Sequence, residues 1–333
     1  MMSDLPADLL ETIFNRLPTT SLKGLRSTCK RWNGLIKRNP RFLEAAKKPL
    51  VLILKDNRVW RMSVNHDVAA PSKEFDGALS LKDPHFKSQQ VDIAGVFHCD
   101  GLLLCTTKDD RLVVWNPYLE ETRWIQHKTD HKRDSKLALG YQNNKPKFCS
   151  GSWRVLDNVP LDCFIEPNTS VSLKGNTYWL ASDEVTNFLL CFDFTTERFK
   201  RLCLPPIQNF GKIVLSVIEE QLSVLLQSYH ALEMEIWMTD DIDTEAALLW
   251  SIFIKVDFKN LSTYYCFPVC WSFLIHEEKE KALCCTIGSY ETSRNMVNIT
   301  GLHDQYYAEI PDEDSTNWQR PIIFGYVPSL VQS

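Results

Sequence analysis

Near residue 47 the apolar residues of this chain change their spacing, and that change divides whatever it folds into. Before it, Leu9, Leu10, Ile13, Phe14 and Leu17 recur at steps of one and three, so that Leu9 and Ile13, and Leu10 and Phe14, stand four apart. Leu22, Leu25, Cys29 and Trp32 continue at three, four and three, with Leu35 and Ile36 extending the same face. This is the period of amphipathic helices. After it, "LVLIL", "KDN" and "RVWRMSV", then "GLLLCTT", "KDD" and "RLVVW", each read as two strands around a tight turn. The chain is therefore expected to hold a helical unit at 1–46 and a β-rich unit at 47–333. With 44% hydrophobic and 24% charged residues it has the composition of a globular protein with a sizeable core.

The helical unit has its own punctuation. Pro6 sits where a first turn tolerates it, Asp8 and Glu11 place negative charge near the positive end of the helix, and Pro18 closes the segment. Thr20 or Ser21 caps the next stretch, a break near Ser27 and Thr28 divides it into two short helices, and Asn39-Pro40 ends the run. Three helices in about 40 residues bury too little surface to stand alone. Each large apolar side chain left wet forgoes about 1.5 to 3 kcal/mol, so these helices should be covered by something else.

"LPADLLETIFNRLP" followed by "SLKGLRSTCKRWNGLI" resembles an F-box of the plant type. The resemblance implies that the module docks on a Skp-family adaptor and, through it, on the cullin and RING subunits of a ubiquitin ligase. Leu5 and Pro6 would insert at the adaptor surface, Leu10, Ile13, Leu17 and Pro18 would line the first contact, and Leu22, Leu25, Cys29 and Trp32 would complete it. Some of these must instead hold the helices to one another, and the sequence leaves that division open.

Further hairpin material lies in "NTYWLAS", "FLLCFDF" and "RFKRLCL", and a closure motif recurs as "WNPYLEETRWI" at 115–125 and "FDFTTERFKRL" at 192–202. From Trp153 to Phe199 and from Phe199 to Trp250 the closures are 46 and 51 residues apart, near the ~40 to 50 of a four-stranded propeller blade. Radial blades also protect strand edges, which favours a β-propeller over a sandwich. About six blades are expected. From Trp124 to Trp153 there are only 29 residues, so the third blade is expected to be incomplete. "DGLLLC", "WNP", "VSLKGNTYWLA" and "IWMTDD" resemble the Kelch-related F-box-associated domain (type 1), which implies a body that captures a target protein.

Charge and motifs exclude other classes. The net charge of −5 divides into +4 on residues 1–46 and −9 on the rest; the basic residues lie on helices whose other faces are apolar, which is a solvated face and no nucleic-acid surface. The N-terminus meets Asp4 and Asp8 before any apolar run, and no stretch reaches the ~20 apolar residues of a membrane helix. The expected location is cytoplasmic or nuclear, with the eleven cysteines as buried free thiols and the sequons at Asn168, Asn260 and Asn298 unused. Cys266 and Cys270, or Cys284 and Cys285, lack the second pair that a zinc site needs.

No phosphate loop, zinc-protease helix or nucleophile elbow is present, so neither metal nor cofactor is expected. His127 and His131 read as loop residues, Asp240-Asp241 as an interblade loop, and 277–281 as a hairpin tip. Trp60, Trp115, Trp153, Trp179, Trp237 and Trp250 read as packing between blades. The resulting expectation is a non-catalytic substrate receptor of an SCF-type ubiquitin ligase. A non-degradative adaptor-binding scaffold and a propeller enzyme are the alternatives.

Overall fold

The computed structural model describes residues 5–17, 25, 29–39, 49–65, 72–83, 90–125, 136–142, 162–167, 169–206, 211–218, 220–228, 230–240, 248–258, 269–276, 281–287, 295–301, 305–309 and 320–329. Two helices come first, α1 (Ala7–Arg16) and α2 (Lys30–Arg38). The rest is β-structure, arranged as a β-propeller of five antiparallel sheets among the described residues.

Blade one joins β1 (Leu50–Lys55), β2 (Arg58–Asn65) and β3 (Ser72–Ala78) to β21 (Ile322–Tyr326) from the far end of the chain. Blade two is β4 (Ile93–Cys99), β5 (Leu102–Thr107), β6 (Leu112–Asn116) and β7 (Glu121–Ile125). Blade three has a split inner edge, β8 (Phe164–Ile165) and β9 (Val171–Leu173), both paired to β10 (Asn176–Ser182), then β11 (Asn187–Asp193) and β12 (Arg198–Leu202). Blade four runs β13 (Lys212–Ile218), β14 (Gln221–Ser228), β15 (Glu233–Thr239) and β16 (Trp250–Asp257). Blade five runs β17 (Val269–His276), β18 (Lys281–Ile287), β19 (Asn295–Gly301) and β20 (Gln305–Glu309).

The innermost strands identify themselves by touching across blades: β4 meets β9, β9 meets β13, β13 meets β17 and β17 meets β21. Contacts of β21 with the end of β4 complete the ring. The starts of these strands lie on one face of the propeller and their ends on the other.

Where about six blades were expected, the described residues form five sheets. The incomplete third blade was expected in the short interval from Trp124 to Trp153, which lies outside the described residues apart from its first two positions and 136–142. Its described part, 136–142, is an extended ribbon wedged between blades two and three. Leu137, Leu139 and Tyr141 pack on Phe97, Leu102, Leu104 and Val114 of blade two, and Ala138 packs with Ile165 and Trp179 of blade three. The Tyr141 amide donates to the Gly175 carbonyl at 3.1 Å. Alternating side chains thus let one ribbon seal two sheet faces, as a strand does. Trp153, on which the spacing rested, lies outside the described residues.

The ring is clasped where β21 ends against β4. His98 lies between Phe324 and Tyr326, at ring-centroid distances of 5.8 and 5.5 Å. Its Nε2 accepts from the Gly101 amide at 3.1 Å, and the Tyr326 hydroxyl donates to the Gly101 carbonyl at 3.1 Å. Gly101 has φ of 77°, and a Cβ there would strike Ser329, so both its conformation and its surroundings require glycine.

Burial pulls the His98 imidazole down to about 4, below its unfolded value of about 6.5. Between those values the unfolded chain binds a proton that the folded chain refuses. His98 therefore contributes stability that is full above about pH 6.5 and is lost as pH falls toward 4. Part of the residue still meets solvent, so the loss is about 1 to 2 kcal/mol, less than the full shift would give. Thermal melts between pH 7.5 and 4.5 should show the parent losing more stability than His98→Gln, whose amide oxygen still accepts from Gly101. Parallel pH profiles of the two proteins would refute this role for the clasp.

Candidate functional site

The helical module is built on two stripes of α1. Leu10 and Phe14 are buried and turn toward α2, where they meet Trp32 and Ile36. Phe14 and Trp32 pack edge to face, 5.6 Å between centroids at 73°. Leu5, Ile13 and Leu17 are half-buried at the rim, Pro6 is exposed, and Leu9 is 49% exposed. Cys29 caps α2 with its sulfur accepting from the Trp32 amide at 3.5 Å. The Arg31 guanidinium donates to the Leu5 carbonyl at 2.7 Å, and Asn39 Nδ2 donates to Asn15 Oδ1 at 2.7 Å. These bonds tie the N-terminal segment and both helices into one body.

The cover that the sequence required comes partly from the propeller itself. Tyr118 and Leu119, in the turn between β6 and β7, are buried in the same cluster as Leu10, Phe14, Trp32 and Ile36. Their turn is set by Asn116. Its side-chain oxygen accepts from the Leu119 amide at 3.0 Å while its Nδ2 donates to the Ser329 carbonyl at 2.9 Å. The "WNP" stretch thus locks a turn to the end of the closing strand and presents two apolar residues to the helices.

The recurring closure has the same construction in blade three. There the Asp193 carboxylate accepts from the amides of Thr195 and Thr196 at 2.8 and 3.1 Å. Burial alone would push the Asp193 carboxyl up, and those amides with nearby Lys200 more than offset it, so it sits below the usual range. Glu120 and Glu197 take the matching left-handed position, at φ of 56° and 54°.

Of the ten residues the resemblance assigned to the adaptor, the structure thus places Leu10 and Trp32 inside the module. It leaves Leu5, Pro6, Ile13 and Leu17 on the rim. Leu25 and Cys29 are half-buried against the same cluster. Pro18 and Leu22 lie outside the described residues. Sequence spacing missed Tyr118 and Leu119, and it missed Leu9 as the exposed leucine of α1.

Other candidates separate in the fold. Cys284 and Cys285 are neighbours on β18 and belong to different clusters on opposite sheet faces, and the nine described cysteines are free thiols. Trp60, Trp115, Trp179, Trp237 and Trp250 each join or pack on an apolar cluster. Asp240 is an exposed residue following β15, and its amide bonds the Leu249 carbonyl. His127, His131, Asp241 and 277–280 lie outside the described residues.

The F-box domain family matches residues 2–44, and the F-box associated beta propeller domain matches residues 50–148 and 146–333. This chain belongs to the F-box proteins. F-box only protein 9 of Arabidopsis thaliana is 52% identical to it, over 99% of this chain and 96% of that protein. An F-box/kelch-repeat protein of the same plant is 49% identical, over 100% and 97%.

Both alignments run about 36 positions beyond the residues this F-box protein supplies. The two pieces of the propeller match meet at 146–148, inside the interval that is short by spacing. Among solved structures, a chain of a nidogen/laminin complex is 11% identical with a TM-score of 0.36, covering 86% of this chain and 100% of that one. At that distance the fold description rests on the sheet topology itself.

Proposed function

We propose that this F-box protein is the substrate-receptor subunit of an SCF-type cullin-RING ubiquitin ligase, working in the cytoplasm or nucleus. The helical module seats on a Skp-family adaptor, the propeller holds a target protein, and the chain itself catalyses nothing. It contributes proximity, raising the effective concentration of target lysines beside the ubiquitin-conjugating enzyme. The observation that carries this reading is an F-box whose apolar residues divide into two sets. Leu10, Phe14, Trp32 and Ile36 are buried with the propeller turn, while Pro6 and Leu9 are exposed and Leu5, Ile13 and Leu17 are half-buried at the rim.

A non-degradative scaffold drew its support from an incomplete blade expected between Trp124 and Trp153, an interval mostly outside the described residues. The test is co-expression of the full chain with a Skp-family adaptor, followed by affinity capture. Leu5→Ala with Pro6→Ala, or Leu9→Asp alone, should lower recovered adaptor at least about tenfold, the loss of one or two buried interface side chains. The β-sheet circular dichroism should not change. Full adaptor recovery by both variants would remove these residues from the interface.

A further inference from the structure

We propose that Lys212, Trp271 and Arg320 form a binding site for an acidic peptide segment, on the propeller face opposite the helical module. This deepens the substrate-receptor reading and rests on it. Lys212 opens β13, Trp271 lies near the start of β17, and Arg320 stands just before β21. These are three inner strands, and their starts share one face. The helices sit on the other face, because Tyr118 and Leu119 lie beside Ser329, where β21 has ended.

The local fold brings the three residues together. The Ser272 hydroxyl donates to the Pro321 carbonyl at 2.9 Å and accepts from the Ile323 amide at 3.0 Å, fixing the entry of β21 beside β17. Gln227, opposite Lys212 in the ladder, accepts from the Cys270 amide at 3.1 Å and fixes β17 beside blade four. As a result the Arg320 guanidinium lies 3.5 Å and the Lys212 ammonium 4.7 Å from the centroid of the same Trp271 ring. Arg320 is exposed, and Lys212 and Trp271 are half-buried.

The arrangement differs from the other described cations that lie over rings. Arg111 over Trp124 has Asp83 and Asp109, Arg201 over Phe188 has Asp162 and Asp183, and Lys55 over Trp60 and Phe75 has Asp56. At Trp271 two cations share one ring, and no described carboxylate lies within ion-pair distance of either. A ring face attracts a cation without neutralising it. Lys212 is held below the usual lysine range, first by burial and then by the charge of Arg320, with Glu166 acting weakly the other way. The Trp271 indole N–H is buried with no described acceptor. Two cations on one ring with no described carboxylate beside them call for an anionic partner.

The class of that partner follows from charge. The chain carries −9 outside its first 46 residues, so a polyanion needing the ~6 to 10 phosphate contacts of a nucleic-acid site would be repelled. Over a Debye length of ~8 Å, by contrast, the local cation pair outweighs the distant acids. A short segment bearing a few carboxylates fits two cations.

The test uses the full chain purified with its adaptor and a fluorescent 12-residue peptide carrying four Glu or Asp, beside its Gln and Asn counterpart. The acidic peptide should bind at least about tenfold more tightly and weaken with added salt. Lys212→Met with Arg320→Gln should erase that preference while adaptor capture stays intact, and Arg201→Gln should change neither. Loss of adaptor capture by the parent would strike the receptor reading alone, because peptide binding is scored separately.

Equal binding of the two peptides, or unchanged binding by the double variant, would overturn the site. Displacement of the peptide by equimolar inorganic phosphate would overturn it in favour of a small-anion site. The connector before Arg320 carries Asp312, Glu313 and Asp314 and lies outside the described residues. Changing these three to Asn, Gln and Asn should shift affinity by less than about twofold. A tenfold gain would assign the site to the chain's own connector.

Discussion

Removal of residues 320–333 is expected to leave a chain with no cooperatively folded propeller. The closing strand β21 is the innermost strand of blade one, paired to β1 from Leu50↔Tyr326 to Leu54↔Ile322 and packed on β17 and β13. It buries Ile323 and Tyr326 and half-buries Ile322 and Phe324. At about 1.5 to 3 kcal/mol for each large side chain fully buried, the strand contributes about 5 to 10 kcal/mol. That is comparable to the whole ~5 to 15 kcal/mol stability of a typical protein.

The truncation also bares the inner edge of β1, so the product should aggregate and lose its near-ultraviolet tryptophan signal. Tyr326→Phe, which deletes the hydroxyl with its bonds to the Gly101 carbonyl and the Tyr118 backbone, should cost about 1 kcal/mol and keep a sharp melt. A truncated chain that still melts within a few degrees of the parent would show that the ring does not depend on this strand.

The same closure explains what the sequence made legible and what it hid. Hairpins were legible because they are local. The residues of "LVLILKDNRVWRMSV" pair as β1 and β2 around Asp56 and Asn57, both at positive φ, as a two-residue hairpin turn demands. The matching turns at Asn116 and Asp193 are legible in the sequence as a repeat.

Blade number was hidden by two long-range facts. Blade one borrows a strand from the far end of the chain, and the short interval after Trp124 includes a wedge, 136–142, whose alternation differs little from that of a strand. Lys212, Trp271 and Arg320 were invisible for the same reason, since each is unremarkable on its own strand until β13, β17 and β21 are side by side. In the helical module the apolar stripe was legible, but its division was not. Which leucines are spare depends on Tyr118 and Leu119, in a turn whose packing partner no local pattern names.

That division yields the second large effect. Trp32→Ala should destabilise the helical module by about 3 to 5 kcal/mol, the range for removing a buried aromatic ring from a core. The ring lies against Phe14, and Tyr118 and Leu119 share its cluster, so its loss opens the seat between helices and propeller from both sides. A module this small has little reserve against such a loss. It should become protease-sensitive in the chain without adaptor, and adaptor capture should fall because the docking surface is no longer assembled. Leu9→Asp should lose capture to a similar degree while its protease resistance stays at the parent level, because Leu9 is 49% exposed and supports no core. The contrast between the two variants measured in isolation distinguishes a residue that builds the F-box from one that meets its partner. If Trp32→Ala proved as protease-resistant as the parent and lost only capture, Trp32 would be an adaptor contact, and the seat on Tyr118 and Leu119 would not be what holds the module to the propeller.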